Sequence, residues 1–154
     1  MIIDTPQVTQ STAQPAAVLH LTIPRSEIRK VMGPGYREVM DAMKAQGMTP
    51  AGPWFTHHLR MDPDTFDFEI GIPVSQPIAP AGRVKPGQLP AARVARTVYH
   101  GSYERLGDGW GELMAWIETS GHEPGPDFWE VYSTGPEANA DPSTWRTELN
   151  RPLR

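Results

Sequence analysis

A chain of 154 residues, 38% hydrophobic, is long enough to bury the core of one ordinary domain, and its lack of cysteine excludes disulfides, thiolate nucleophiles, iron–sulfur clusters and sulfur-based zinc sites. A formal net charge of -4 with no long basic run argues against a nucleic-acid surface. No signal-peptide pattern and no apolar run of the roughly 20 residues needed to span a bilayer occur, so a soluble, cytoplasmic chain with no membrane contact is expected.

Residues 1–14 are polar, and Val8, Thr9 and Thr12 fit either an edge strand or a frayed end. From Ala17, the run AVLHLTIP alternates Leu19, Leu21 and Ile23 with His20 and Thr22, the period of a half-buried strand. His20 falls on the polar side and reads as solvated. After the charged SEIRKVM, the stretch GPGYREVMDAMKAQG sets Tyr36, Val39, Met40 and Met43 at helical spacing, with Pro34 near the start and Gly47 just past the end. Such a stripe is first of all core, although methionines also suit the adaptable wall of a binding site.

Two strands follow, WFTHHLRM and TFDFEIGIPV, parted by the turn residues Asp62, Pro63 and Asp64. In the second, Phe66, Phe68, Ile70 and Ile72 point one way and Thr65, Asp67, Glu69 and Gly71 the other. The adjacent His57 and His58 project to opposite faces and have no third ligand at useful spacing, so neither a metal nor any other cofactor is expected. Residues 74–90 are rich in Pro and Gly and read as a seam, with Val84 in a short edge strand. AARVARTVYHGSY then gives a strand ending at Tyr99 and a turn at Gly101.

The helix YERLGDGWGELMAWIETSG follows, with Tyr103, Leu106, Trp110, Leu113, Met114 and Ile117 along one side. Gly107, Gly109 and Gly111 are odd there, because an interior glycine costs about 1 kcal/mol relative to alanine. Either the first turns are irregular, or something approaches the helix closely and a cleft lies beside Trp110.

The stretch GPDFWEVYSTGP, residues 125–136, places Glu130 among rings. As a strand it sets Phe128, Glu130 and Tyr132 on one face and Trp129 and Val131 on the other. A carboxylate between two rings must reach solvent, carry a partner or receive a cation. The same stretch aligns without a gap on GPWFTHHLRMDP, residues 52–63, which makes His57 the counterpart of Glu130. Tyr36 likewise matches Tyr103, and TFDFEIGIPV matches STWRTELNRPL. Each half therefore reads strand, helix, strand, strand, and the fold class is α+β: two pseudo-twofold-related units forming one antiparallel sheet with both helices on one face. A single domain over residues 1–154 is expected, with units at about 16–75 and 91–153 and a connector at 76–90. A groove between the helices would have Tyr36 and Trp110 as walls.

The phrases LPAARVARTVYHGSYERL, ELMAWIETSGHEPGPDFWEVYSTGP and TELNRPL resemble the GyrI-like small-molecule-binding domain, also found as the effector-binding part of AraC-type and MerR-type multidrug regulators. The resemblance runs from Val18 onward. It implies the same two-unit fold and a central pocket for lipophilic, often cationic compounds, with an acid at Glu130. Aromatic faces attract organic cations by about 0.5–2 kcal/mol each, so Tyr132, Trp110, Tyr36 and Trp145 would complete a cage, with Phe128, Met40, Met114 and His57 as further candidates. The competing reading makes Glu130 an ordinary sheet carboxylate paired with Arg93, Arg96 or Arg146. Asn150 and Arg151 depart from the family's apolar alternation.

No helix–turn–helix segment is read in these residues, so direct transcriptional control and direct nucleic-acid binding are not expected. A stand-alone binder of a hydrophobic or cationic small molecule is the first expectation. The alternatives are a hydrolase of reactive electrophiles, with Glu130 and Tyr132 activating water, and a domain that docks a protein partner such as gyrase.

Overall fold

The computed structural model describes residues 2–154, apart from the Met61 side chain, and the chain is α+β. In chain order the elements are β1 (Gln7–Gln10), β2 (Gln14–Pro24), α1 (Ile28–Ala45), β3 (Phe55–Met61), β4 (Thr65–Pro73), β5 (Val84–Leu89), β6 (Arg93–His100), α2 (Leu106–Thr119), β7 (Phe128–Thr134) and β8 (Arg146–Pro152). Short 3-10 turns lead into α1, α2 and β8. Two compact units emerge: Thr12–Ala91, called here the first, and residues 2–11 with Ala92–Arg154, the second. No helix among the described residues is long and apolar enough to cross a membrane.

In the first unit the strands run in the order β3-β4-β2-β5, all antiparallel. The alternation read in TFDFEIGIPV holds, since Phe68, Ile70 and Ile72 are buried. Ile72 joins Ala17, Leu19 and Val84 of the sheet and Val39 and Met43 of α1 in one core. α1 begins well before Pro34, which lies inside it. The reason is the stripe itself: Ile28, Val31, Met32, Gly35, Val39 and Met43 keep helical spacing through the proline and are at least partly buried, while Pro34 faces solvent. Losing one backbone donor on an exposed flank is cheaper than breaking that stripe.

The Pro/Gly-rich connector also holds more order than its composition suggests. β5 is six residues long and pairs with the edge of β2, with Gln14 opposite Leu89 and Leu19 opposite Val84. Pro86 is tolerated because β5 is an edge strand, where a missing N–H is least costly.

The second unit has the order β1-β6-β8-β7, again antiparallel. Its core joins Ala95, Tyr99 and Leu149 of the sheet to Leu113 and Ile117 of α2, with Ile3 from the N-terminal segment. The repeat expected from sequence is present: β2-α1-β3-β4 and β6-α2-β7-β8 share one internal strand order, and each acquires a fourth strand at its outer edge. Those outer strands are exchanged. β1, which precedes β2 in the chain, pairs with β6, while β5, which precedes β6, pairs with β2.

Strand register corrects the match between the halves. Glu130 lies opposite Leu149, and the residue opposite Ile70, which corresponds to Leu149 when Pro73 is set on Pro152, is Thr56. The two bulges agree, one following His58 and the other Tyr132. Thr56, not His57, is thus the counterpart of Glu130, and His58 that of Tyr132. A slip of one residue turns a strand side chain to the other face. His57 accordingly lies opposite Glu69, on the sheet face away from the Ile70 and Ile72 side chains that meet α1.

Candidate functional site

β7 carries the centre of the site. Glu130 is buried, 8% exposed, and both of its carboxylate oxygens accept a hydrogen bond. Trp110 Nε1 donates to Oε2 at 2.6 Å, and Tyr132 OH donates to Oε1 at 2.8 Å. Phe128 packs edge-on against Trp110, with ring centres 4.7 Å apart. Phe128, Glu130 and Tyr132 therefore share one face, as period-two alternation requires, and α2 brings Trp110 down onto it.

The seating of α2 depends on Gly109. A Cβ there would lie 2.7 Å from Tyr99 Cδ1, so only glycine allows the helix to rest this close to β6. Nothing lies within 4 Å of such a position at Gly107 or Gly111. Of the two readings of these glycines, close approach holds at Gly109, and what approaches is the tyrosine of the unit's own core.

Beyond Tyr132 the wall continues. Tyr103 meets Tyr132 edge-on at 5.9 Å and leans on Trp145 at 5.2 Å. Trp145 is tied down by its Nε1 donating to Asn139 O at 2.8 Å. Burial, reinforced by the negative charges of Glu137 and Glu130, pushes the Tyr103 hydroxyl up to about 12, so it remains protonated and able to donate at any ordinary pH. At the opposite end stands Arg151, 8% exposed, with its guanidinium 5.5 Å from the Phe128 ring centre. Its Nε and Nη2 both donate to Gly125 O, at 3.1 and 2.7 Å. Burial lowers the Arg151 pKa from its ordinary value, while Asp127 opposes the shift.

The structure thus brings Glu130, Tyr132, Trp110 and Phe128 together and joins Trp145 to them through Tyr103. Met114 packs at the margin of the second unit's core. Tyr36, Met40 and His57 belong to the first unit, where Tyr36 leans on Trp54 at 4.9 Å and both Tyr36 and Met40 pack against the core. Two of the arginines considered as partners for Glu130 are engaged elsewhere. Arg96 bonds Asn150 and pairs with Glu148, and Arg146 donates to Ser143 O and Trp145 O.

Tyr103 and Arg151 were not picked out as site residues by sequence. Tyr103 lies in the 3-10 turn before α2, so it leaves the helical phase that made it look like part of the core stripe. Arg151 registered as a polar departure that could alter the outer strand or the pocket rim, and a count of two from Leu149 would have put it on the α2 face. Among the described residues no group of three or more His, Asp or Glu is placed to hold a metal. Chemically, two neutral donors orient the carboxylate, and the surrounding rings present the π faces that favour organic cations.

The family model of the GyrI-like small molecule binding domain matches residues 4–154. No curated protein sequence matches the chain. Among solved structures, the EcmrR C-terminal domain is similar over 100% of this chain and 99% of its own, with a TM-score of 0.86 and 22% identity. In the EcmrR–DNA complex the chain spans 58% of the EcmrR polypeptide, at a TM-score of 0.84. SAV2435 bound to tetraphenylphosphonium is similar over 98% of this chain and 94% of its own, with a TM-score of 0.73 and 13% identity. A hydrolase from Listeria innocua shares the fold at a TM-score of 0.65 and 14% identity, over 97% of this chain and 91% of its own.

Proposed function

Since the chain belongs to the GyrI-like small molecule binding domain family, we propose that it captures or senses amphipathic aromatic cations, and that Glu130 is the acid that receives their charge. The buried Glu130 carboxylate, held at 2.6 and 2.8 Å by Trp110 and Tyr132 between the Phe128 and Tyr103 rings, carries this reading. A cation brought against it gains the charge term in a partly desolvated setting and the quadrupole term of each ring it covers. Neutral competitors of the same shape gain only burial. SAV2435, of the same fold, has been solved with tetraphenylphosphonium bound, which supports this chemical class.

Titration of tetraphenylphosphonium, followed by tryptophan fluorescence and calorimetry, is the direct test. Saturable binding is expected, and Glu130→Gln, which keeps the shape but removes the charge, should weaken it by about 2 kcal/mol, roughly thirtyfold. Undiminished affinity in Glu130→Gln would overturn the role given to the acid.

The hydrogen-bonded pair Glu130–Tyr132 favours one further reading, a hydrolase in which the acid activates water. Each carboxylate oxygen accepts one hydrogen bond and keeps a second lone pair, so a water can bind beside Trp110 or Tyr132 without displacing either. Turnover of an epoxide, lost in Glu130→Gln while binding persists, would select this second reading. Absence of product across a panel of epoxides and other electrophiles leaves the binding protein.

A further inference from the structure

The ligand wall has two charged poles. Register places Trp129 opposite Asn150 and Glu130 opposite Leu149, so Phe128 faces Arg151 across the β7–β8 pair. Phe128 and Glu130 are two residues apart, roughly 7 Å along the strand. The Arg151 guanidinium lies over Phe128, Phe128 meets Trp110, and Trp110 donates to Glu130. One continuous aromatic surface therefore runs from a buried cation to a buried acid. A simple organic cation laid over Phe128 would meet Arg151 as a like charge, whereas one placed at the Tyr132 and Tyr103 end would not. A guanidinium carries five N–H donors in a planar fork, and Gly125 O takes two of them. The fork matches a carboxylate.

We propose that the site selects zwitterionic aromatic compounds: the ligand's cationic centre lies against Glu130 among Tyr132, Tyr103 and Trp145, and its carboxylate reaches Arg151 past the edge of Phe128. The proposal rests on the small-molecule-binding role set out above and deepens it by naming the ligand class. It distinguishes this chain's site from one that merely tolerates positive charge, and it gives Arg151 a specificity role in addition to holding Gly125.

Rhodamine B, a zwitterion at neutral pH, and its ethyl ester, a permanent cation of nearly the same shape, form a matched pair. Their binding can be followed by fluorescence anisotropy alongside tetraphenylphosphonium. Wild-type protein should bind the zwitterion about tenfold more tightly than the ester. Arg151→Gln should abolish that preference by weakening the zwitterion alone, and Glu130→Gln should weaken both dyes. Equal affinities in the wild type would overturn the proposal without recourse to a variant. So would a preference that survives in Arg151→Gln, since Arg151 would then serve only to anchor Gly125. Should Arg151→Gln fail to fold, Arg151→Lys keeps the charge without the fork and should retain only a fraction of the preference; full retention counts against the proposal. If the ester and tetraphenylphosphonium bind without any preference for the zwitterion, this inference alone fails. If none of the three probes binds, the underlying binding role fails with it.

Discussion

Two side chains show how far one-residue distinctions matter. Glu130 was legible because a strand's faces alternate, so Phe128, Glu130 and Tyr132 had to stand together once the stretch was read as a strand. The hydrogen bond from Trp110 was not legible, because it depends on how closely α2 lies to the sheet, which only packing decides. The pairing with His57 failed for a related reason: gap-free sequence alignment fixed the frame by the flanking Gly-Pro and Pro residues, while hydrogen-bond register is set one residue away.

The true counterpart of Tyr132, His58, is buried between Phe66 and Phe68. Burial, with smaller contributions from His57 and Arg25, lowers its pKa to about 4 from 6.5. Above pH 6.5 both the folded and unfolded forms carry it neutral, and it contributes nothing to the pH dependence. Between 6.5 and 4 the unfolded chain binds a proton that the folded chain refuses, so stability falls as pH falls, by about 1.4 kcal/mol per unit. Urea midpoints across that window should shift accordingly, and His58→Phe should flatten the slope. An unchanged slope in the variant would remove His58 as its source.

At the scale of elements, α2 is positioned by a missing methyl. Gly109→Ala forces a Cβ against Tyr99 and should cost about 1–3 kcal/mol, as overpacking does. Gly111→Ala, one residue beyond Trp110, meets open space at a helical position and should stabilise by up to about 1 kcal/mol. Chemical denaturation of the two variants separates them by sign, and two destabilised variants would contradict the packing described. The composition of the helix showed that its glycines needed a reason but not which one had it, because steric approach is a property of the facing sheet. The short edge strand expected at Val84 is β5, but its extent was not legible: Pro and Gly mark a loop in isolation, yet the open edge of β2 orders six residues against it.

For the molecule as a whole, the twofold repetition of strand, helix, strand, strand was visible in the aligned halves. The exchange of edge strands was not, since neither β1 nor β5 has a hydrophobic pattern that names its partner. Each compact unit therefore contains a strand that the chain delivers from the other repeat. Unfolding one unit frees an edge in a segment covalently bound to the other, and urea denaturation should appear as one transition by both circular dichroism and tryptophan fluorescence. Two separated transitions would show that the units melt independently.

A protein made of one such repeat would carry both a leading strand and an open edge on its second strand, the two partners that the exchange here sets apart. Two copies could satisfy each other by trading those strands, which is the geometry of a domain-swapped homodimer. The exchange of β1 and β5 has the same connectivity within a single polypeptide, where matched positions of the two halves can carry different residues. Glu130 in one half and Thr56 in the other are such a matched pair.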